Sequence, residues 1–309
     1  MTPRPRVLVL LASYQGENFI VEQVESILNQ TGVDVSILVS VDPSSDRTYQ
    51  IVDGLVATDP TRIGLLEHDK PSGGAARNFY RLIRGRDVTG YDYVGLADQD
   101  DVWFPHKLAR SIEAMRTSGS VAYSSNVYAW DGLDRNTPGK LVQKAQNQTR
   151  WDHLFSSAGP GCTYVATAST FDKFSAWLTD TGELIDDIDY HDWLMYAWYR
   201  SRGYSWFIDA EPTMLYRQHD GNQIGANVGV NAARARVAAL FGGWFLGQVV
   251  TLADVLRASA EPPIALLAKP RRTRWIPILK LWGQLRRSKR DSILVGLLLA
   301  VSPRQRGVR

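Results

Sequence analysis

The 309-residue chain has a single cysteine, Cys162. One thiol makes no intramolecular disulfide, which excludes the disulfide-stapled secreted scaffolds and fits a reducing compartment. The chain also lacks any run of the ~18–20 uninterrupted apolar residues that a membrane-spanning helix needs. Its nearest approach, 238–252, is interrupted by Gln248 and Thr251 and weakened by three glycines. Net charge is only +3, and there is no internal repeat or low-complexity block. Neither the dinucleotide fingerprint nor the P-loop spacing occurs, and Gly73-Gly74-Ala75-Ala76-Arg77-Asn78 fits neither pattern. What is present, 44% hydrophobic and 22% charged residues, is the composition of a globular chain with a substantial core.

The charge is unevenly placed. From Lys269 to Arg309 there are 12 Lys and Arg against one acid, Asp291, giving +11; the rest holds 23 basic and 31 acidic residues, giving −8. An acidic body with a basic tail suits an anionic partner. At the other end, Arg4 and Arg6 before Val7–Ala12 imitate a secretion signal. Six apolar residues followed by Ser13-Tyr14-Gln15-Gly16-Glu17 suit a buried strand better. The expectation is a cytoplasmic chain, soluble or peripheral to a membrane.

Val7–Ala12 and Val35–Val41 read as short buried strands, with Ile20, Val24, Ile27 and Leu28 at helical spacing between them. A weaker strand at Ile63–Glu67 precedes a helix from Ala75 to about Arg84. The strand Tyr91–Ala97 then runs into Asp98-Gln99-Asp100-Asp101. Pro105 suits the first turn of a helix carrying Leu108, Ile112 and Met115. Alternating strands and helices predict an α/β/α sandwich with a mostly parallel central sheet. The second part reads as a strand over Val121–Trp130, helices near Thr170–Leu178 and Asp192–Ser201, and a hairpin from Tyr204–Ile208 to Met214–Tyr216. Beyond Asn227 an Ala/Leu/Arg-rich helical texture is broken at Pro262-Pro263, Pro270 and Pro277. The expected domains are 1–228, with a nucleotide-binding half over 1–120 and an acceptor half over 121–228, and a helical basic extension over 229–309.

In parallel sheets ligands bind at the carboxyl ends of the strands. The unusual polar residues stand there: Ser13-Tyr14, Asp42, and Asp98 to Asp101. Carboxylates two apart at a strand end, Asp98 and Asp100, can reach one hard divalent cation, although a helix-capping acidic turn would look the same. Asp42 is either a turn residue or a carboxylate placed to accept from a pyrimidine base, on which Tyr14 could stack. The glycine turn before Arg77 suits an anion. Asp192 opens a helix, as a cap or as a general base, with Asp186, Asp187 and Asp189 upstream. Arg217 and His219 close a strand, where they could clamp a diphosphate or add a nitrogen ligand to a metal.

Taken in order, residues 7–48, 73–108 and 186–225 resemble family-2 glycosyltransferases of the GT-A fold, and especially the rhamnosyltransferase-like members that build bacterial surface polysaccharides. Leu11-Ala12-Ser13-Tyr14-Gln15-Gly16-Glu17 looks like the family's first strand and loop. Asp98-Gln99-Asp100 matches its metal-binding Asp-x-Asp motif, with Asp101 an extra acid. His191-Asp192-Trp193 falls where the family carries its catalytic Asp, and Tyr216-Arg217-Gln218-His219 with Asn222 and Gly225 looks like a segment of this subgroup. The family's usual Asp-Asp-Gly-Ser after strand two is Val41-Asp42-Pro43-Ser44 here, which leaves Asp42 as the base-reading acid.

The resemblance implies an inverting, metal-dependent enzyme. It would move a hexose or deoxyhexose, rhamnose favoured, from a dTDP- or UDP-sugar to a glycan or lipid-linked glycan. Its implied site is Asp192 as catalytic base; Ser13, Tyr14, Asp42, Arg77, Asp98 and Arg217 on the nucleotide; and Asp98, Asp100 and His219 on Mg2+ or Mn2+. A sugar nucleotidyltransferase would need a basic glycine-rich loop where Tyr14-Gln15-Gly16-Glu17 stands. A nucleotide-sugar-binding protein with a decayed site is opposed by the intact acids. In the tail, the basic residues are interleaved with Trp275, Ile276, Ile278, Leu279, Leu281, Trp282 and Leu285, then Ile293 to Val301, as in a helix lying on an anionic membrane surface. Packing on the domain or a dimer contact are the alternatives, and nucleic acid is not expected beside an acidic body.

Overall fold

The computed structural model describes residues 3–132, 139–219 and 243–304. They fall into two compact units: Met1–Ala145, Gly159–Asp180 and Tyr204–Ala226 form the first, and Gln146–Ala158, Thr181–Gly203 and Asn227–Arg309 the second. The expected boundary at 228/229 lies outside the described residues, as do Asn222 and Gly225.

The first unit runs β1 (Arg6–Ser13), α1 (Ile20–Leu28), β2 (Asp34–Val41), α2 (Thr48–Thr58), β3 (Ile63–Leu65), α3 (Ala75–Gly85), β4 (Tyr93–Asp98), β5 (Val102–Trp103) and α4 (Lys107–Ser118). It continues with β6 (Ala122–Ser125), β7 (Val127–Trp130), β8 (Lys140–Val142), β9 (Val165–Thr167), α5 (Ala168–Thr181), β10 (Trp206–Asp209) and β11 (Met214–Arg217). Seven strands form one sheet in the order β10-β6-β9-β4-β1-β2-β3, and β5-β11-β7-β8 form a second. In the large sheet only β9 runs antiparallel to its neighbours, β4 and β6. Residues Val7 to Ser13 are all buried, as a parallel strand covered on both faces requires. On α1, Ile20, Val24 and Ile27 point into the same core at helical spacing. Helices cover both faces of the sheet, which gives the three-layer α/β/α sandwich.

Two sequence expectations change in this unit, and one helix is added. The run Val121–Trp130 is two strands in different sheets: β6 pairs with β9 and β10, whereas β7 pairs with β8 and β11. The switch is at Asn126, whose side chain donates to Ala210 O (2.7 Å) and accepts from Lys144 N (2.6 Å) and Ala145 N (2.9 Å) in place of ladder bonds. The expected hairpin over 204–216 does not form, because β10 pairs with β6 in one sheet and β11 with β5 and β7 in the other. Asp209 ends β10 by accepting from Arg110 Nε (2.8 Å) and Glu211 N (3.0 Å), which turns the chain away. The acidic and Ser-rich turn after Asp42 leads into α2, a helix the turn chemistry concealed.

The second unit holds α6 (His191–Ser201), α7 (Trp244–Val255), α8 (Pro262–Ala265), α9 (Trp275–Leu281) and α10 (Lys289–Val301). The prolines at 262 and 277 start helices rather than break them: both stand in a first turn, where no backbone N–H is required. At its polar centre Asp152, fully buried, accepts from Tyr196 Oη (2.8 Å), Arg287 Nη1 (2.9 Å) and Arg200 Nη1 (3.3 Å). Among the described residues no helix is long and apolar enough to cross a membrane.

Candidate active site

Register gathers the site of the first unit. Ala12 lies opposite Asp98, and Ser13 opposite Val41, so the loops after β1, β2 and β4 leave one edge of the sheet side by side. Gln99 fastens two of them. Its Oε1 accepts from Ser13 Oγ (2.7 Å) and Tyr14 N (2.6 Å), and its Nε2 donates to Tyr14 O (2.6 Å). This approach needs Gly16, where a Cβ would collide with the Gln99 carboxamide. Ser13 is therefore buried in the loop junction, while the Tyr14 side chain stays more than half exposed.

Asp42 is buried and already engaged. Its Oδ1 accepts from Ser72 N (2.7 Å) and Arg81 Nη1 (3.2 Å), and its Oδ2 from Ser72 Oγ (2.8 Å). Those bonds hold the turn before α3 against the end of β2. Asn78, one residue beyond Arg77, is buried and donates to Ser13 O (3.3 Å) and Ser40 O (3.2 Å), so α3 is tied to both strands. Arg77 itself is exposed, with Nη1 donating to Gly73 O at 3.3 Å.

Beyond β4 the acidic run separates by depth. Asp100 Oδ2 and His219 Nε2 are 2.7 Å apart, and the imidazole stacks on Phe19 with centroids at 4.8 Å. Asp101 is buried, its Oδ1 accepting from Arg217 N (3.2 Å) and its Oδ2 without a hydrogen-bond partner among the described residues. Asp98, Asp101 and Cys162 offer ligand atoms within 4.8 Å of one another. Burial pushes the Asp101 carboxyl well above the usual carboxylate range, with Asp100 and then Asp98 adding to it. Burial likewise pushes the Cys162 thiol up. Mg2+ and Mn2+ take oxygen donors in preference to a thiol sulfur, so the Cys162 side of this inner group suits them poorly. The partly exposed carboxylates of Asp98 and Asp100, with the adjoining imidazole, match the oxygen-rich donor set of Mg2+ or Mn2+.

Arg217 holds this arrangement from behind. Its Nε donates to Asp100 O (2.8 Å), its Nη2 bonds Glu22, and its guanidinium lies over the rings of Trp130 (4.4 Å) and Phe19 (5.0 Å). In this position the cation secures the acidic loop against α1, in contrast to the open diphosphate clamp its place in the sequence suggested. Lys107 is also fully buried, its Nζ 3.8 Å from the Trp103 ring centroid; burial pulls its ammonium down to about 8, against the pull of Cys162 and Asp101. Asp192 lies in the second unit, in the first turn of α6, where its Oδ1 accepts from Trp193 N (2.7 Å) and the helix dipole favours its charge. Sequence reasoning missed Gln99, Ser72, Arg81 and Glu22; a Gln between two motif acids was the only visible signal.

The chain matches Glycosyl transferase family 2 over residues 8–174. It is 39% identical over 292 residues to the dTDP-rhamnosyl transferase RfbG of Shigella flexneri, covering 94% of this chain and 99% of that one. The UDP-Glc:alpha-D-GlcNAc-diphosphoundecaprenol beta-1,3-glucosyltransferase WfgD of Escherichia coli is 27% identical over 193 residues, 61% of this chain and 68% of that one. Among solved structures, the mannosyltransferase PcManGT from Pyrobaculum calidifontis, in complex with GDP-Man and Mn2+, aligns with a TM-score of 0.53 at 16% identity, covering 97% of this chain and 81% of that one. TarS 1–349 of S. aureus, in complex with UDP-GlcNAc, aligns at 0.52 with 14% identity, covering 96% and 91%. The family match covers more than half of the chain, and the Shigella relative nearly all of it: this protein belongs to glycosyl transferase family 2, as a glycosyltransferase of the GT-A fold.

Proposed function

We propose that the enzyme transfers rhamnose from dTDP-rhamnose to a glycan or lipid-linked glycan, with inversion at the anomeric carbon. The observation that carries the donor assignment is the 39% identity to a dTDP-rhamnosyl transferase along almost the whole chain. Asp98, Asp100 and His219 are the residues that would hold Mg2+ or Mn2+. Such an ion, when bound, counters the negative charge that grows on the departing nucleoside diphosphate. Arg217 keeps the loop bearing these ligands in place, and Arg77 lies exposed at the turn where a phosphate would be met. Tyr14 offers an exposed ring for the base, and the Asp42 carboxylate, held by Ser72 and Arg81, stands at the same strand edge. Asp192 takes the proton of the acceptor hydroxyl as it attacks, a role worth ~10²–10⁴ in rate. One such carboxylate suffices for a single displacement, hence the inversion. A lipid-linked acceptor is carried by a membrane, so the reaction is placed at the cytoplasmic membrane face, with the basic segment 269–309 toward the lipid.

Release of nucleoside diphosphate from a panel of nucleotide sugars tests this reading. dTDP-rhamnose should turn over fastest, and Asp192→Asn should lower turnover by about 10² or more with donor affinity kept. Faster turnover of another nucleotide sugar would overturn the donor assignment, and unchanged turnover in Asp192→Asn would overturn the base.

A further inference from the structure

Sequence counts 12 cations in the tail, but the structure does not leave them equivalent. Arg274 is completely buried and makes five hydrogen bonds to backbone carbonyls: Nε and Nη2 to Lys269 O, Nη1 to Leu299 O and Ser302 O, and Nη2 to Leu267 O, all 2.7–3.0 Å. Arg271 donates to Ser302 O, Arg286 to Phe155 O, Arg287 to Asp152 and Ser157 O, and Arg304 to Ala268 O. These five arginines hold the second unit together. The side chains of Lys269, Arg272, Lys280, Lys289 and Arg290 are exposed and make no hydrogen bond or ion pair among the described residues.

The same segment carries an exposed apolar face. Among the described residues, seven of the thirteen exposed large hydrophobic side chains lie between 275 and 301. Trp275, Ile276, Leu279 and Trp282 recur at i, i+1, i+4 and i+7 along α9 and the turn after it, with Ile276 71% and Leu279 68% exposed. Ile293, Leu297 and Val301 recur at i, i+4 and i+8 along α10. The two helices are fixed against each other at Gly296, where a methyl group would come within 3.3 Å of Ile278 Cγ2 and 3.6 Å of Trp282 Cβ. The face is therefore preformed on a packed hairpin, and lipid need not order it.

We infer that this face, Trp275, Ile276, Leu279 and Trp282, on a segment that also exposes Arg272, Lys280 and Lys289, docks the enzyme on an anionic bilayer surface. This rests on the reading of 269–309 as membrane-facing and specifies which residues make the contact. Charge complementarity selects the occupant. Unpaired Lys and Arg beside exposed tryptophan and aliphatic side chains suit an interface of anionic headgroups over acyl chains. A face meant for a second copy would bring these same cations together.

Sedimentation of the full chain with vesicles of phosphatidylcholine alone or mixed with phosphatidylglycerol, at low and high salt, tests the inference. Wild type should bind the anionic vesicles, more tightly at low salt. Ile276→Asp/Leu279→Asp, both at exposed positions, should weaken that binding about tenfold or more with its thermal melting unchanged. Lys280→Glu/Lys289→Glu should lose binding mainly at low salt. If wild type binds anionic vesicles and Ile276→Asp/Leu279→Asp binds equally, the contact lies elsewhere and the assignment of this face is overturned while the membrane reading stands. If wild type binds neither vesicle, both are wrong. A wild-type dimer that Ile276→Asp/Leu279→Asp converts to a monomer, with no vesicle binding by either, would make the face a self-association surface instead.

Discussion

The acidic run at 98–101 and the basic segment at 269–304 look alike as sequence: each is dominated by one sign of charge. Folding divides both in the same way. Asp101 goes inside, where burial favours its protonated form, and Asp98 and Asp100 remain at the edge of the sheet. Arg274 and Arg287 are held inside by backbone carbonyls and by Asp152, and Lys280 and Lys289 remain in water. A charge counted in sequence is thus not a charge available at the surface.

This comparison breaks most visibly at Arg274. Arg274→Met leaves four backbone carbonyls without their cation, so it should lower unfolding free energy by about 3 kcal/mol or more, seen as a lower urea midpoint. An unchanged midpoint would mean that the buried cation does not hold the tail. The next effect is one of pH. Burial, and after it the Arg200 cation, holds His153 down to about 4 from an ordinary value of 6.5, with Asp152 pulling the other way. Below pH 6.5 the unfolded chain takes up a proton that the folded chain resists until about pH 4. Stability is therefore full above 6.5 and falls as pH drops through this window. The loss amounts to roughly 3 kcal/mol, and His153→Gln should flatten that acid limb in urea titrations run at several pH values. The smallest effect is the control: Arg272→Met, exposed and unpaired, should shift stability by less than about 0.5 kcal/mol.

Much of the first unit was legible in the sequence because its strands are buried on both faces and its helices keep one apolar stripe. Val7–Ala12 with Ile20, Val24 and Ile27 needed no tertiary information. Asn126 did, since only a partner on a distant loop makes it a point where a strand changes sheets. The motif acids were legible because they follow an apolar strand. Gln99, Ser72 and Arg81 were not, because they are ordinary polar residues whose partners Tyr14 and Asp42 lie 85, 30 and 39 positions away. Arg217 was found in sequence, but its place between Trp130 and Phe19 could come only from the fold.

The central claim is that the acidic run is divided between Asp100, which serves the chemistry, and Asp101, which serves the fold. Turnover of dTDP-rhamnose measured across a Mn2+ titration, for wild type, Asp100→Asn and Asp101→Asn, tests it most directly. The account predicts that turnover needs the ion, that Asp100→Asn loses about 10²-fold or more and needs more Mn2+, and that Asp101→Asn, the neutral near-isostere, stays within about tenfold of wild type. Equal losses in the two variants, or turnover in Asp100→Asn indistinguishable from wild type, would contradict it.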